Sequence, residues 1–123
     1  MRGVNKTPYG ALSVDTFYYL NSFSGEFQAD SGGNISQIIL TPSSGKKLVI
    51  FITHMVTDSA SGEIALKFAT SNKLVAKFYP IRFSRTGMIY NKVEGAIDEA
   101  LTLEATDLDP LSKVFVVVLY KEV

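Results

Sequence analysis

Two segments of this chain are apolar at consecutive positions instead of at every second one. They are residues 48–52, with the sequence LVIFI, and residues 114–120, with the sequence VFVVVLY. Both are rich in β-branched and aromatic side chains, which favour extended strands. A strand with two apolar faces is normally covered on both of them. Residues 48–56 are therefore predicted to form a long central strand, and the second apolar face of both segments is predicted to need a cover.

The remaining chain consists of short strand-like segments separated by clusters of turn-forming residues. Strands are predicted at residues 25–30, 35–41, 48–56, 63–68, 73–79, 88–90, 101–106 and 113–121. The connections are too short for crossover helices, so neighbouring strands should run antiparallel. The predicted fold class is all-β: an antiparallel two-sheet β-sandwich of about eight strands, with the jelly roll as the candidate connectivity.

The same pattern makes four local predictions. Residues 58–62 form a short loop that pairs strand 48–56 with strand 63–68. Residues 95–100 are compatible with one helical turn, and residues 81–84 with a continuation of the strand that Pro80 interrupts. An uninterrupted alternation along the first apolar strand gives two sets of side chains: Leu48, Ile50, Ile52, His54 and Val56 on one face, and Val49, Phe51 and Met55 on the other.

Residues 1–20 are predicted to be an N-terminal arm with an aromatic anchor, and residues 21–123 a single β-sandwich domain. The anchor either adds to the domain's own sheet or packs on a neighbour. Because a small sandwich has one interior, the second apolar face of the inner strands should be covered by this arm or by a second subunit. The predicted interface residues are Phe17, Tyr18, Tyr19, Phe51, Met55, Phe115, Val117 and Leu119.

Composition narrows the range of partners. The chain has 12 Lys and Arg against 12 Asp and Glu, so no basic excess indicates a nucleic-acid partner. It has no cysteine, which excludes disulfides and thiolate chemistry. No apolar run is long enough to span a bilayer as a helix, and residues 1–20 lack the continuous apolar core of a signal peptide. We therefore expect no nucleic-acid partner and no membrane partner.

The sequence contains no constellation typical of catalysis or cofactor binding. His54 is the only histidine, and it lies among apolar strand residues, so we expect a packed or interface histidine and not a general base. Asp107 and Asp109 offer oxygen ligands to a hard cation, but they lack the spacing of a calcium loop, and a solvated loop is favoured. The chain is predicted to be no enzyme and to hold no metal or cofactor.

Three short motifs resemble those of small β-sandwich structural proteins of tailed-phage virions. They are Gly45-Lys46-Lys47 before an apolar strand, Ala100-Leu101-Thr102-Leu103 late in the chain, and the closing Tyr120-Lys121-Glu122-Val123. The similarity runs from about residue 35 to the C-terminus. The arm has no counterpart in those proteins, and residues 81–94 are more charged and aromatic than the matching region.

The resemblance implies a capsid decoration (cement) protein, or a small head- or tail-associated protein, located in the virion. Such a protein acts by binding: it forms a homo-oligomer, often a trimer, and clamps the major capsid protein or another virion protein. The rival function is a carbohydrate- or receptor-binding β-sandwich module, which would use exposed aromatic side chains and calcium near Asp107 and Asp109. The two functions differ in what the exposed apolar side chains contact.

Overall fold

The computed structural model describes residues 20–82 and 84–123, and it shows an all-β protein of eight strands without a helix in that part of the chain. The strands are β1 (Asn21–Gln28), β2 (Ile35–Leu40), β3 (Leu48–Thr57), β4 (Glu63–Phe68), β5 (Leu74–Phe78), β6 (Thr86–Glu94), β7 (Leu101–Thr106) and β8 (Lys113–Glu122). The predicted arm lies outside the described residues, apart from Leu20.

The strands form two antiparallel four-stranded sheets, as predicted. Sheet I has the order β1-β8-β3-β6, and sheet II has the order β2-β7-β4-β5. β3, which was predicted to be a central strand, is an inner strand of sheet I, and β8 is the inner strand beside it. Of all consecutive strands, only β4 and β5 are neighbours in one sheet; every other connection passes from one sheet to the other.

The predicted pairing of β3 with β4 is wrong for this reason. Residues 58–62 carry the chain between the sheets instead of closing a hairpin, and β3 pairs with β6 and β8. The crossing is tight at Gly62, which has a φ of +85°, and a Cβ there would lie 2.4 Å from the carbonyl oxygen of Thr106. Only glycine fits such a backbone position. The composition of residues 58–62 therefore predicted a turn correctly, but it did not predict which strands pair with β3.

The core lies between the two sheets. Sheet I contributes Val114, Val116 and Val118 of β8, all fully buried, and sheet II contributes Leu66, Phe68 and Leu103, which are equally buried. Each such aliphatic or aromatic side chain contributes about 1.5–3 kcal/mol to folding when it leaves water. This core accounts for one face of each sheet, and it leaves the outer face of each sheet to be explained.

An irregularity at Phe51 changes which residues of β3 point into the core. The register between β3 and both of its neighbours shifts between Ile50 and Ile52, as a β-bulge does. Ile50 points into the core before the shift, and Met55 points into it afterwards. The uninterrupted alternation predicted for β3 is therefore wrong beyond Phe51. Ile52 lies outside the core cluster, and Met55 lies inside it.

The other local predictions also need correction. Residues 95–100 form no helical turn; Gly45 donates a hydrogen bond from its backbone N to Oδ1 of Asp98 at 2.7 Å, and Asp98 has a φ of 63°. β6 extends over Thr86–Glu94, well beyond the predicted residues 88–90. Ile81 and Ser84 form an isolated bridge and do not continue β5. For residues 95–100 and for β6, the tertiary partner, which the local composition does not reveal, decides the conformation.

Candidate interaction surface

The outer side of sheet I carries an apolar surface, which we call the outer apolar face. Since Val114, Val116 and Val118 of β8 point inward, the residues between them point outward. The register places Leu119 beside Ile52, Val117 beside His54, and Phe115 beside Val56. On β6, Tyr90 pairs with Ile52, and Met88 pairs with His54. The face consists of Ile52, His54, Val56, Met88, Tyr90, Phe115, Val117 and Leu119.

Several of these apolar side chains are in contact with solvent. Tyr90 is 67% exposed, Met88 is 55% exposed and Phe115 is 39% exposed. Single exposed apolar residues are ordinary on a protein surface, whereas a contiguous apolar patch marks a contact site. These three residues belong to one patch, because the strands that carry them are joined through β3. The outer apolar face is therefore the candidate interaction surface.

The outer side of sheet II is built differently. Lys77 Nζ lies 3.1 Å from Glu63 Oε2, and Ser36 Oγ donates a hydrogen bond to Glu104 Oε2 at 2.9 Å. The hydrogen bond to Glu63, together with a second one to Tyr79, raises the pKa of Lys77 above its ordinary value. Charged pairs of this kind are typical of a solvated surface. Ile38, 57% exposed, and Leu74, 51% exposed and paired with Lys67, are apolar exceptions on this side.

One end of the outer apolar face holds a small cluster of its own, the outer cluster, formed by Val49, Phe51 and Ile52. These residues are 3%, 7% and 9% exposed, and Leu20 and Leu119 pack against them. The bulge at Phe51 makes this cluster, because it brings both Phe51 and Ile52 out of the intersheet core. Leu20, the residue before β1, is thus the part of the chain that begins to cover the face.

The structure places the predicted interface residues in three groups. Phe115, Val117, Leu119 and Phe51 lie outside the intersheet core, as the sequence suggested. Met55 is completely buried between the sheets, so it faces away from any partner of the outer apolar face. Phe17, Tyr18 and Tyr19 lie outside the described residues. The sequence analysis missed Met88 and Tyr90, although their alternation with Ile89 on a predicted strand was a usable signal.

His54 occupies the middle of the outer apolar face and is half-buried. Its cross-strand neighbours are Val117 and Met88, and neither side chain can exchange a proton with it. Asp58, four residues further on, accepts a hydrogen bond from the backbone N of Lys113 at 2.8 Å. A general base needs an orienting partner within hydrogen-bond reach, and the neighbours of His54 on both adjacent strands supply none. His54 therefore contributes to the shape of the outer apolar face.

A shallow open depression of about 230 Å³ lies at the opposite end of this face from the outer cluster. It is lined by Glu26, Val56, Thr57, Asp58, Lys113 and Phe115. Thr57 Oγ1 donates a hydrogen bond to the carbonyl oxygen of Lys113 at 2.8 Å, so Thr57 and Asp58 both help to fasten β3 to β8. Phe115, Glu26 and Lys113 complete the lining of the depression.

The acidic residues of the late loops serve to brace the fold. Asp109 Oδ2 accepts a hydrogen bond from the backbone N of Ala60 at 2.9 Å, and Asp109 Oδ1 accepts one from Ser61 Oγ at 3.0 Å. These bonds lower the pKa of Asp109, and the bond from Ala60 has the largest effect. Across residues 20–82 and 84–123, no three His, Asp or Glu side chains form a group that could hold a metal ion.

Glu99 is a second internal anchor, and it is 4% exposed. Its carboxylate accepts hydrogen bonds from the backbone N of Ala96 at 2.9 Å, of Thr70 at 2.8 Å and of Ser71. Burial alone would raise the pKa of Glu99, but the bonds from Ala96, Ser71 and Thr70 outweigh burial and lower it. Glu99 thereby joins the β4–β5 turn to the segment that follows β6.

No helix among the described residues is both long and apolar enough to cross a membrane. Comparison of the sequence with protein-family models gives no match, and comparison with curated proteins gives no significant one.

Solved structures do match the fold. A chain from the acidic stable capsid structure of the Helicobacter pylori bacteriophage KHP30 matches at a TM-score of 0.62 and 11% identity, over 85% of this chain and 90% of that chain. The C-terminal CBM6 of the laminarinase LamC from Zobellia galactanivorans matches at a TM-score of 0.42 and 11% identity, over 86% of this chain and 95% of that chain.

A virus-like particle of the extra small virus of the prawn Macrobrachium rosenbergii supplies a further match, at a TM-score of 0.36 and 16% identity, over 94% of this chain and 85% of that chain. At these identities the likeness concerns the fold alone. The phage capsid chain is the one among the three whose TM-score exceeds 0.5. The chain therefore has a β-sandwich fold similar to that of a chain in a phage capsid.

Proposed function

We propose that this protein is a non-enzymatic virion structural protein, a capsid decoration (cement) protein that self-associates and binds the capsid shell through its outer apolar face. The observation that carries the proposal is the contiguous exposed patch of Phe115, Met88 and Tyr90 on one side of the sandwich. The subunit core is complete without this patch. The fold likeness to a chain from a phage capsid supports the virion location.

The strand connections support the same proposal. We assign the fold to the jelly-roll class, since its two four-stranded sheets exchange the chain at every connection except β4–β5. In this arrangement β3 and β8 lie side by side in sheet I, so their outward side chains form one surface instead of two separate stripes. A rigid sheet with a broad apolar side suits binding to a shell, because little chain has to be ordered on contact.

The partners follow from the chemistry of the face. A homo-oligomer, with a trimer as the favoured form, buries part of the face between copies, and the major capsid protein or another virion protein covers the rest. The arm, residues 1–20 with its aromatic anchor, is proposed to reach the neighbouring subunit or the capsid surface. Removal of residues 1–16 should leave a folded sandwich and weaken oligomerisation or capsid attachment; loss of the cooperative melt would place the segment in the subunit's own core instead.

The proposal is tested with Phe115→Lys on the outer apolar face and Ile38→Lys on the opposite side as its matched control. Both residues are exposed, at 39% and 57%, so neither substitution buries a charge in the core. We expect Phe115→Lys to abolish self-association, measured by light scattering. It should also abolish co-sedimentation with capsids assembled from the products of the neighbouring genes. Ile38→Lys should preserve both properties. A stable monomer of the unmodified protein at micromolar concentration would rule out self-association.

A second candidate function is a carbohydrate- or receptor-binding β-sandwich module. The depression beside Phe115, which Glu26 and Lys113 also line, supports it, because an aromatic ring flanked by polar residues is a common platform for a sugar. Titration with soluble glycans, followed by tyrosine fluorescence, distinguishes the two functions. A saturable change that Phe115→Ala removes would favour the module, and binding to assembled capsids would favour decoration.

A further inference from the structure

The open edge of sheet I at β6 is the longest strand edge in the described part of the chain. β6 is an outermost strand of its sheet and pairs with β3 alone, and it has nine residues. The outermost strand at the other side of sheet I is β1, with eight residues, and those of sheet II are β2 and β5, with six and five. An unpaired edge presents a row of N–H and C=O groups that can bond to a further strand.

The backbone groups on this edge are identified by the hydrogen bonds at the two ends of β6. The carbonyl oxygen of Arg85 accepts a bond from the backbone N of Thr57 at 3.0 Å. The backbone N of Gly95 donates to the carbonyl oxygen of Leu48 at 2.9 Å. In an antiparallel strand, both backbone groups of one residue point to the same side, and those of the next residue point to the other. The odd-numbered residues of β6 therefore bond to β3, and the even-numbered residues direct their N–H and C=O groups to the open edge.

Glu94, an even-numbered residue at the end of β6, agrees with this assignment. Its carbonyl oxygen accepts a hydrogen bond from Lys73 Nζ at 2.6 Å. Lys73 directly precedes β5 of the other sheet, so the carbonyl group of Glu94 points away from β3.

The side chains of β6 follow the same alternation. Tyr90 pairs with Ile52, and Glu94 pairs with Val49; both partners belong to the outer cluster. Since four residues separate Tyr90 from Glu94, β6 keeps a regular alternation although the register of β3 shifts between these two pairs. The open edge therefore carries the backbone groups of residues whose side chains lie on the outer side of sheet I: Thr86, Met88, Tyr90 and Lys92.

The other three outermost strands have features that hinder pairing with a further strand. β5 is short, and the carbonyl oxygen of Val75 in it already accepts a hydrogen bond from Asn91 Nδ2 at 3.1 Å. β2 has an irregular register between Ile38 and Leu40. The outward side chains of β1 are all polar: Ser22, Ser24, Glu26 and Gln28. Among the four, β6 alone combines length, regular alternation and exposed apolar side chains.

One end of this edge has an excess of positive charge. Lys47 Nζ lies 2.7 Å from Glu94 Oε1, and Lys73 bonds to the carbonyl oxygen of the same residue. The hydrogen bond from Lys47 lowers the pKa of Glu94, and the charges of Lys47, Lys92 and Lys73 add to this effect. Three cations thus surround one carboxylate, and a further carboxylate beside Lys92 would be favourable.

We infer that β6 binds an extended segment of the capsid protein, which joins sheet I as a fifth strand. Backbone hydrogen bonds to the even-numbered residues supply affinity, and side chains supply specificity. The segment carries apolar side chains beside Met88 and Tyr90 and an acidic one beside Lys92, since cross-strand neighbours of opposite charge stabilise a sheet. β6 of a second copy has one carboxylate, Glu94, which already bonds to Lys47, so a second copy fits this edge less well. The identity of the partner rests on the proposed function.

The test uses proline, which removes a backbone N–H group and places a ring there. Proline is tolerated on an edge strand where the N–H group faces solvent. Lys92→Pro should therefore keep the pairing with β3 and block the addition of a strand. Lys92→Gln removes the same charge and keeps the N–H group, so the difference between the two variants isolates the backbone contact.

The matched control is Ser24→Pro on β1, at the opposite edge of sheet I. The backbone N of Ala29 donates to the carbonyl oxygen of Ser112 at 2.8 Å. By the same alternation, the odd-numbered residues of β1 bond to β8, and the N–H group of Ser24 faces the open edge. Ser24→Pro thus makes the same backbone change on an edge for which no partner is proposed.

The readout is co-sedimentation with capsids assembled from the products of the neighbouring genes. Lys92→Gln should bind severalfold more weakly than the unmodified protein, and Lys92→Pro should bind about tenfold more weakly than Lys92→Gln. Ser24→Pro should bind normally. Equal binding of the two Lys92 variants, or an equal loss in Ser24→Pro, would overturn the inference. Absence of binding by the unmodified protein would overturn the proposed function itself, whereas binding that Phe115→Lys abolishes and Lys92→Pro preserves would overturn the edge contact alone.

A second measurement needs no substitution, namely residue-resolved amide hydrogen exchange. In the protein alone, the N–H groups at the open edge should exchange about a hundredfold faster than those of Ile89 and Val93, which bond to β3. Capsid binding should slow the exchange of the edge groups, which belong to Met88, Tyr90 and Lys92. Slow exchange of the edge groups in the protein alone would mean that the protein itself occupies the edge, and it would overturn the inference. Exchange that stays fast on the capsid would overturn it as well.

Discussion

The two outer sides of this sandwich rest on the same core but are made of different residues. The outer side of sheet II presents polar and charged side chains to solvent, among them the ion pair of Glu63 with Lys77. Sheet I shows an apolar surface on which Phe115 and Met88 are exposed. Since both sheets bury their inner sides equally well, the subunit needs no apolar residues on either outer side. The difference supports the proposal that sheet I is the side that binds a partner.

The sharpest test of this comparison uses two adjacent valines of β8. Val116 is fully buried between the sheets, whereas Val117 points to the outer apolar face. Val116→Ala should lower the free energy of unfolding by roughly 2–3 kcal/mol, since it removes two buried methyl groups and leaves a cavity. Val117→Ala should change it by less than about 0.5 kcal/mol while weakening association. Urea denaturation of both variants measures the difference.

Equal losses of stability in the two variants would contradict the comparison. In that case the outer apolar face would belong to the subunit's own core, covered over its whole length by other parts of the same chain. A loss confined to Val116→Ala, with association impaired in Val117→Ala alone, would assign stability to the inner side of β8 and binding to its outer side.

Some features of the fold follow from the local sequence, whereas others depend on neighbouring strands. The composition of β3 and β8 was enough to identify them as strands with two apolar faces, and β3 as a central strand, because β-branched runs depend little on distant partners. The side of the sheet on which Met55 lies was not predictable, because the register shift at Phe51 exists only in relation to the neighbouring strands. The extent of β6 was also hidden, since its pairing with β3 holds polar residues such as Asn91 and Lys92 in a strand.

The candidate surface was predictable in part for a related reason. Phe115, Val117 and Leu119 follow from simple alternation along β8, which runs without a register shift against β1. Tyr90 and Met88 belong to a strand whose sheet and face depend on long-range pairing. Sequence alternation gives the two sides of each strand, but it does not reveal which strands share a sheet.

The hydrogen bonds of Glu99 that join the two sheets should affect stability but not association through the outer apolar face. The substitution Glu99→Gln tests this. Loss of a buried charged acceptor for the backbone N of Ala96, Thr70 and Ser71 should cost about 2 kcal/mol of stability, with association unchanged in the folded protein. Because the pKa of Glu99 is lowered in the fold, its contribution is present above the unfolded pKa of about 4.3 and is lost as the pH falls through the folded pKa.

Melting temperatures of the wild type and Glu99→Gln from pH 7 down to pH 3 provide the measurement. The gap between the two proteins should be widest near neutral pH and should narrow below about pH 4. A gap that stays constant over this range would show that the substitution acts through packing and not through the carboxylate.

A smaller effect of opposite sign is expected on the inner side of β3. Thr53 is fully buried, and its Oγ1 has no hydrogen-bond partner, so Thr53→Val should stabilise the protein by about 1 kcal/mol. Thr57 is the matched control on the same strand, because its Oγ1 donates to the carbonyl oxygen of Lys113 at 2.8 Å. Thr57→Val should destabilise. Two changes of the same sign in thermal melts would argue against the assignment of the inner side.

The smallest effect is expected at His54, in the centre of the outer apolar face. Its neighbours Val117 and Met88 offer no hydrogen bond that a substitution would break, and glutamine preserves the size and one polar group. His54→Gln should therefore change the free energy of unfolding by less than about 0.5 kcal/mol and leave self-association and capsid binding intact. Light scattering, capsid co-sedimentation and urea denaturation check these three properties on one protein sample. If His54→Gln abolished binding while the circular dichroism spectrum stayed native, the imidazole itself would be a recognition or catalytic group, and the face could no longer be described as an apolar contact surface.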